Sequence, residues 1–331
     1  MGNAIIKGIG SYLPEKILTN RDLEMMVETS DEWIITRTGI KERRICPVGK
    51  GASDLGTESA IRAIQDAGIE KEEIELIICA TITPDMYFPS TACLIQNKLG
   101  LEDVPSFDIS AACSGFLYGI EIAKNFVINR IYKNVLVIAS ECMSRLTDYT
   151  DRNTCVLLGD GAGAVVISYT EEKDTGILGS YLSSSGKYWS LLYVPAGGSL
   201  LPSSFQSVEK RQHFMKMEGS TLFKIAVLTM SEAVEKVLSK FQLKKEDISL
   251  VIPHQANLRI INMVAKNLNI PLQKFYINIE KYGNMSAACV PIALDEASKK
   301  GMIKKGDLVV TTSFGAGLTW GANLIKWAKS K

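Results

Sequence analysis

Cys113 lies where the sequence changes from a strand-like to a helix-like pattern. The run SFDIS ends just before it, and SGFLYGIEIAKNFVINRI follows with apolar residues at helical spacing. Free backbone N–H groups and the dipole at the start of a helix favour an anion, so we expect a lowered thiol pKa. The same N–H groups could hold an oxyanion. This pattern predicts a nucleophile, although a cysteine among alanines is more often a small core residue.

Two polar residues further along the chain could serve that nucleophile. His254 follows the strand-like run SLVIP, and Asn284 lies in the turn YGNMSAAC. The carboxyl ends of strands meet at one edge of an α/β sheet, so we expect Cys113, His254 and Asn284 to converge. The other histidine, His213, lies in the irregular RQHFMKM and has the pattern of a surface residue.

These residues fall in a sequence that repeats itself. KEEIELII at 71–78 returns as KEDISLVI at 245–252, and SAAC at 110–113 returns as SAAC at 286–289. Each copy lies among alternating strand-like and helix-like segments, which predicts two α/β halves of similar topology. We place them at 1–173 and 174–331, with Cys289 in the position that matches Cys113.

Composition narrows the classes of protein. The chain has 331 residues, 46% of them hydrophobic, with a formal net charge of +1. We therefore expect a globular protein whose overall charge recruits neither nucleic acid nor a membrane. Its seven cysteines form no C-x-x-C pair, which argues against a disulfide framework or a zinc site. We find no signal-peptide pattern and expect a cytoplasmic protein.

Two glycine-rich segments require separate interpretations. GDGAGA at 159–164 superficially resembles a dinucleotide-binding loop, but it leads directly into the apolar run AVVIS. Such a loop must open a helix, so we predict a strand here instead. The segment 183–219 has no clean period and is rich in Gly, Ser and Pro, which predicts a long surface excursion of the kind that can border a site.

Seven segments spread over almost the whole chain resemble the β-ketoacyl-acyl carrier protein synthase III enzymes of the thiolase superfamily. They are TSDEWIITRTGIKERR, FPSTACLIQ, AACSGF, GDGAGAVV, PHQANLRII, GNMSAA and SFGAGLTWG, in that order. The resemblance implies a thiolase-like duplicated α/β fold, with five αβαβα layers and two mixed sheets around buried helices. It also implies that Cys113, His254 and Asn284 are the catalytic residues.

The resemblance further assigns an oxyanion hole to the backbone N–H groups of Cys113 and Ala316. The loop reads F-G-A-G-L here, where family members commonly have F-G-G-G-F. Ala316 still has an N–H to donate, but its methyl group narrows the permitted backbone angles.

The resemblance implies a coenzyme A site. Trp33 would stack on the adenine with Arg152 on the opposite face, Arg37 would contact a phosphate, and Asn257 would contact the pantetheine arm. Without the resemblance, Trp33 would be an ordinary core residue and the two arginines plain solvated charges.

Further residues are implied for the acyl group and the carrier protein. Phe314 would lie beside the nucleophile, and Phe88 would cross the interface of a homodimer to cap the neighbour's acyl pocket, which favours short primers, acetyl above all. Lys224, Arg259 and Lys266 would form a basic patch for an acidic carrier protein, although most surface lysines bind nothing specific.

The implied reaction is a decarboxylating condensation. Acyl-CoA acylates Cys113, malonyl-acyl carrier protein then loses CO2, and the resulting carbanion attacks the acyl group. We expect no metal and no organic cofactor, since the CoA thioester is a substrate. A degradative thiolase would need another cysteine after Cys289, and an elongating synthase would have histidine at Asn284. A catalytically silent acyl-CoA-binding protein and an acyltransferase of secondary metabolism remain alternatives.

Overall fold

The computed structural model describes residues 2–329. Within that range the strands are β1 (Asn3–Tyr12), β2 (Ile17–Thr19), β3 (Glu42–Arg44), β4 (Leu76–Ala80), β5 (Ser106–Ile109), β6 (Asn134–Cys142), β7 (Asp160–Thr170), β8 (Gly176–Ser184), β9 (Leu192–Tyr193), β10 (Lys216–Met217), β11 (Leu250–Pro253), β12 (Leu308–Gly315) and β13 (Thr319–Lys326). The α-helices are α1 (Asn20–Glu24), α2 (Asp31–Thr38), α3 (Ala52–Ala67), α4 (Thr91–Leu99), α5 (Gly115–Ile128), α6 (Arg152–Cys155), α7 (Phe205–Glu209), α8 (Gly219–Lys240), α9 (Leu258–Leu268), α10 (Ile279–Tyr282) and α11 (Cys289–Lys299).

Two mixed sheets share one topology. The first has the order β1-β7-β6-β4-β5, and the second has the order β8-β13-β12-β11. In each sheet the first two pairings are antiparallel and the next is parallel. The predicted boundary between 173 and 174 falls in the connection from β7 to β8, which joins one sheet to the other. GDGAGA enters β7, so its prediction as strand is confirmed.

The core is divided into layers because both faces of each sheet are buried. Alternate residues of β4 show this: Leu76 and Ile78 pack with α5 and α11 between the sheets, whereas Ile77 and Cys79 pack with α3 and α4 outside. The outer face of the second sheet packs against α8 and α9. The sequence of layers is therefore helices, sheet, helices, sheet, helices, as the resemblance implied.

The structural repeat corrects one prediction. A 3-10 turn, Ala112–Ser114, precedes α5, and the turn Ser286–Ala288 precedes α11. Their first residues share the left-handed conformation, with φ of 45° at Ala112 and 49° at Ser286. Cys113 therefore matches Ala287, and the prediction that Cys289 matches Cys113 is wrong. The identical letters SAAC are displaced by two residues from the repeated backbone.

Candidate active site

Cys113 lies in the middle of the first of these turns, between β5 and α5, as predicted. The strand β12 fixes its backbone, because the Ser313 hydroxyl donates a hydrogen bond of 2.7 Å to the Cys113 carbonyl. Gly315 makes the close approach possible: a Cβ there would lie 2.5 Å from the Cys113 nitrogen. The second sheet thus holds a nucleophile carried by the first.

The prediction of a lowered thiol pKa at Cys113 is wrong. The residue is 7% exposed, and burial raises the pKa of its thiol to about 12, while the nearby Ser286 hydroxyl opposes the shift. Removal from water disfavours the charged form of a thiol. Burial therefore favours the thiol form of Cys113 over the thiolate.

His254 directly follows β11 and is buried. Its backbone N–H donates to the Thr312 carbonyl at 2.8 Å, which ties the residue to the end of β12. Burial lowers the pKa of the imidazole to about 3, so the ring is neutral at pH 7. Within residues 2–329, the buried Nδ1 atom has no hydrogen-bond partner, and the residue lines the same cleft as Cys113. A neutral ring supplies one N–H donor but is a weak base.

Asn284 is held by backbone bonds on both sides. Its N–H donates to the Leu157 carbonyl at 2.8 Å, and its carbonyl accepts from Gly159 at 3.0 Å. The backbone N–H of Ser286 donates to Asn284 Oδ1 at 2.9 Å, which fixes the orientation of the amide. The Nδ2 group donates to no other described residue, so it is the available donor of this side chain.

Two cavities meet at Cys113 and Asn284. One is a cleft of about 790 Å3 that His254 and Phe314 also line. The other has a volume of about 380 Å3, and its walls are largely apolar, including Met143 and Leu158. A long polar ligand in the cleft could therefore place an apolar end in the smaller cavity, with the sulfur between them.

Two backbone N–H groups without a backbone partner belong to residues at this junction. Among the described residues, neither the Cys113 nor the Ala316 N–H makes a backbone hydrogen bond, and both residues line the apolar cavity. The φ angle of Ala316 is outside the left-handed region, so its methyl group imposes no strain of that kind. The two N–H groups fit the expected oxyanion hole, and this role stays a prediction.

Comparisons with known proteins identify the family. The protein-family model of 3-oxoacyl-[acyl-carrier-protein] synthase III matches residues 107–186, and the family model of the C-terminal part of these enzymes matches residues 238–327. Proteins called beta-ketoacyl-[acyl-carrier-protein] synthase III from Caldanaerobacter subterraneus subsp. tengcongensis and Clostridioides difficile are 56% and 53% identical, covering 98% and 97% of this chain and 98% of each relative. This chain belongs to the 3-oxoacyl-[acyl-carrier-protein] synthase III family.

The fold comparison agrees with this membership. A crystal structure of a synthase III from Aquifex aeolicus VF5 superposes with a TM-score of 0.91 at 49% identity, covering 98% of this chain and all of that one. The predicted thiolase-like α/β fold is thereby confirmed.

The residues that the family resemblance assigned to coenzyme A lie together. Trp33, Arg37 and Asn257 line the cleft, and the Asn257 side chain donates to the Arg37 carbonyl at 3.1 Å. The guanidinium of Arg152 lies 5.0 Å from the centre of the Trp33 ring. An adenine between Trp33 and Arg152 would need a stacking distance of about 3.5 to 4.0 Å on each of its faces. Arg152 must therefore move away from Trp33 before an adenine can bind between them.

The remaining predicted residues are less closely grouped. Lys224 and Arg259 line the cleft, whereas Lys266 is exposed on α9 and does not. Phe314 borders the cleft rather than the apolar cavity. Phe88 lines neither cavity and is 84% exposed, so its predicted role concerns a neighbouring subunit.

The excursion at 183–219 contributes residues that the sequence analysis did not assign. It carries β9, α7 and β10, and its apolar side chains form one wall of the smaller cavity: Leu192, Tyr193, Val194, Met215 and Met217. The sequence signal that could have indicated this wall was the presence of apolar residues inside a segment rich in Gly, Ser and Pro.

The described residues hold no cluster of three or more metal-ligating His, Cys, Asp or Glu side chains. No helix in residues 2–329 has the length and apolarity needed to cross a bilayer.

Proposed function

We propose that this chain catalyses the first condensation of fatty acid synthesis, joining an acyl group from acyl-CoA to malonyl-acyl carrier protein with loss of CO2. The observation that carries the proposal is the position of Cys113 between a large cleft, whose walls include charged and polar side chains, and a smaller apolar cavity. A thioester extended along the cleft reaches the sulfur with its acyl group directed into the apolar cavity.

The first half-reaction forms an acyl-enzyme. The Cys113 sulfur attacks the thioester carbonyl, whose oxygen takes negative charge and accepts hydrogen bonds from the N–H groups of Cys113 and Ala316. The carbonyl re-forms as CoA leaves, and the CoA sulfur takes up one proton for the proton that the Cys113 thiol gives up. The acyl group then occupies the cavity of about 380 Å3.

The second half-reaction needs donors for an enolate. As the malonyl group loses CO2, negative charge develops on its thioester oxygen, and Nε2 of neutral His254 and Nδ2 of Asn284 stabilise it as donors. The carbanion attacks the acyl group and frees the Cys113 sulfur. A neutral imidazole suits this step, because the imidazole donates without first having to lose or gain a proton.

The partners follow from this chemistry. We infer that coenzyme A binds along Trp33, Arg37, Arg152 and Asn257, and that the acidic carrier protein approaches the cleft rim at Lys224 and Arg259. We further propose a cytoplasmic homodimer in which Phe88 caps the neighbour's acyl cavity, with acetyl-CoA as primer and no resident metal or organic cofactor.

A labelling experiment tests the proposed function. Wild-type protein incubated with radiolabelled acetyl-CoA should retain label and then release it as 3-oxoacyl-carrier protein when malonyl-carrier protein is added. Cys113→Ala should take no label, whereas the matched variant Cys93→Ala should behave as wild type. Absence of label on the wild type would support a silent acyl-CoA-binding protein, and label without condensation would support a transacylase.

A further inference from the structure

His254 and Asn284 are anchored to different parts of the molecule. The backbone N–H of His254 bonds to Thr312 in β12, whereas the backbone of Asn284 bonds to Leu157 and Gly159, which precede β7 of the other sheet. Two donors that act on one enolate oxygen must keep a fixed distance from each other. The contacts between the two segments that carry these donors are therefore of interest.

Gln255 joins those two segments. It directly follows the histidine, and its side chain is fully buried. Its Nε2 group donates to the Pro253 carbonyl at 2.9 Å and to the Tyr276 carbonyl at 3.1 Å. Its Oε1 atom accepts from the N–H groups of Asn278 at 3.1 Å and Ile279 at 3.2 Å. A side-chain amide has two N–H donors and an oxygen that accepts two hydrogen bonds, so the capacity of Gln255 is fully used.

The partners of Gln255 lead directly to Asn284. Ile279 begins the four-residue helix α10, and the Gly283 N–H donates to the Ile279 carbonyl at 2.9 Å at its end. Asn284 is the next residue. Because a hydrogen-bonded helical turn moves as one piece, a displacement at its start is passed to the residue after its end. A shift of Ile279 relative to Gln255 therefore moves Asn284 relative to His254.

Cys289 contacts both segments from within the core. Its sulfur accepts a hydrogen bond from the Met285 N–H at 3.1 Å. The same sulfur lies 4.0 Å from the Gln255 carbonyl oxygen and 3.9 Å from Asn284 Oδ1. The thiol is fully buried. The two segments are therefore packed on one sulfur, and Gln255 supplies directional bonds between them.

Gln255 is itself separated from the cleft. The residues on either side of it, His254 and Ala256, line the cleft, but Gln255 is not among the residues of 2–329 that do so. All four of its side-chain hydrogen bonds go to backbone groups of the protein. A side chain in this place can affect a reaction only through the residues that it holds.

We propose that Gln255 is a positioning residue that fixes the spacing between His254 and Asn284 for decarboxylation of the malonyl group. The inference rests on the roles that the proposed function gives to those two donors. Acylation of Cys113 uses neither donor in that mechanism. Gln255 should therefore contribute to the second half-reaction and not to the first.

Gln255→Glu tests the proposal, because glutamate keeps the length of the side chain but supplies at most one of the two donors. Acetylated enzyme is mixed with excess malonyl-carrier protein that is radiolabelled in the malonyl carboxyl group, and CO2 release is followed over a single turnover. We expect CO2 release to slow on the order of 100-fold, since small misplacements of reacting groups are costly. Acylation by acetyl-CoA should stay within a few-fold of wild type. Equal loss in both half-reactions, or unchanged CO2 release, would overturn the proposal.

Combination with Asn284→Ala separates a spacing role from general damage to the site. If Gln255 acts by spacing two donors, its replacement should cost much less once one of the donors is gone. Gln255→Glu should therefore slow CO2 release far less in the Asn284→Ala background than in the wild type. Losses that simply multiply would show that Gln255 acts independently of Asn284, contrary to the proposal.

Gln255→Asn keeps the test decisive if Gln255→Glu does not fold. Asparagine introduces no charge, but it is one methylene shorter and cannot bond to both segments, so the same selective loss should appear. Asn134→Asp is the matched control. The Asn134 amide is 1% exposed at the start of β6, where it donates to the Glu73 carbonyl at 3.0 Å and accepts from Ser168 Oγ at 2.6 Å. This variant should change neither half-reaction.

The same measurements distinguish failure of this inference from failure of the proposed function. A wild type that releases no CO2 from malonyl-carrier protein would overturn the proposed function, and the role of Gln255 with it. A wild type that releases CO2 at a rate unaffected by either Gln255 variant would overturn the role of Gln255 alone.

Discussion

Cys113, His254 and Asn284 divide the chemistry into two separable steps. In the proposed mechanism the sulfur forms and breaks the covalent bond, whereas the two neutral donors act only on charge that develops during decarboxylation. Because a donor aimed at developing charge lowers only the barrier of that step, loss of either donor should leave the other step intact.

Asn284→Ala tests this division. We expect acylation by acetyl-CoA to stay within a few-fold of wild type, and condensation to fall on the order of 100-fold or more, as for loss of one oxyanion donor. Rapid-quench measurement of acyl-enzyme and of product separates the two rates. Equal loss of both would show that Asn284 supports the nucleophile instead.

Gly315 offers a steric test of the same junction. A methyl group added at this position would lie 2.5 Å from the Cys113 nitrogen, so the turn carrying the nucleophile must move. Gly315→Ala should lower kcat/KM for acylation on the order of 100-fold, since small misplacements of reacting groups are costly. Gly198→Ala, where nothing lies within 4 Å of the added carbon, is the matched control. Unchanged acylation in Gly315→Ala would contradict the described contact.

Among the elements, the excursion at 183–219 is tied to the segment that follows β6 by an ion pair and a backbone hydrogen bond. Arg211 donates to both carboxylate oxygens of Asp148, from Nε at 2.8 Å and from Nη2 at 2.5 Å. The nearby Met215 N–H donates to the Leu146 carbonyl at 2.9 Å. This fixes the wall that carries Met215 and Met217 beside the acyl cavity.

Arg211→Met should loosen this wall and change the preference among acyl-CoA primers. The effect on stability has a defined pH dependence, because Arg211 holds the pKa of Asp148 well below its usual range. Because the pKa of Asp148 is lower in the folded state than in the unfolded state, the ion pair contributes its full stabilisation above the unfolded-state pKa of about 3.9. This contribution is lost as the pH falls below that value. The difference in melting temperature between wild type and variant should therefore shrink below about pH 4.

Arg130→Met is the control, because it removes an exposed ion pair with Glu171 and should change neither primer preference nor melting temperature. A pH-independent difference in melting temperature for Arg211→Met would contradict the stabilising role of its ion pair with Asp148.

Several features of the fold could be predicted from the sequence because they depend on local pattern. The ends of β5 and β11 place Cys113 and His254 as the apolar runs indicated, and AVVIS extends β7. The thiol pKa could not be predicted in this way, because it depends on how deeply folding buries the sulfur.

At the scale of the whole molecule, the cleft is lined by residues from both halves of the chain, and we propose that its rim is the surface for a carrier protein. Lys224→Glu at its rim should raise the KM for malonyl-carrier protein, more at low salt than at high salt, and leave acylation by acetyl-CoA unchanged. Lys236→Glu, about 18 Å further along α8, is the control and should have no effect. Equal effects of the two variants would indicate a response to net charge alone.

We propose that the Cys113 sulfur, at the junction of two cavities, carries the acyl group between the two half-reactions. Mass spectrometry of proteolytic peptides after brief exposure to acetyl-CoA tests this role of the sulfur. We predict acetylation of the peptide that contains Cys113, cleared on addition of malonyl-carrier protein in the wild type and persistent in Asn284→Ala. An acetyl group on a different cysteine, or one on Cys113 that malonyl-carrier protein does not remove from the wild type, would contradict the account.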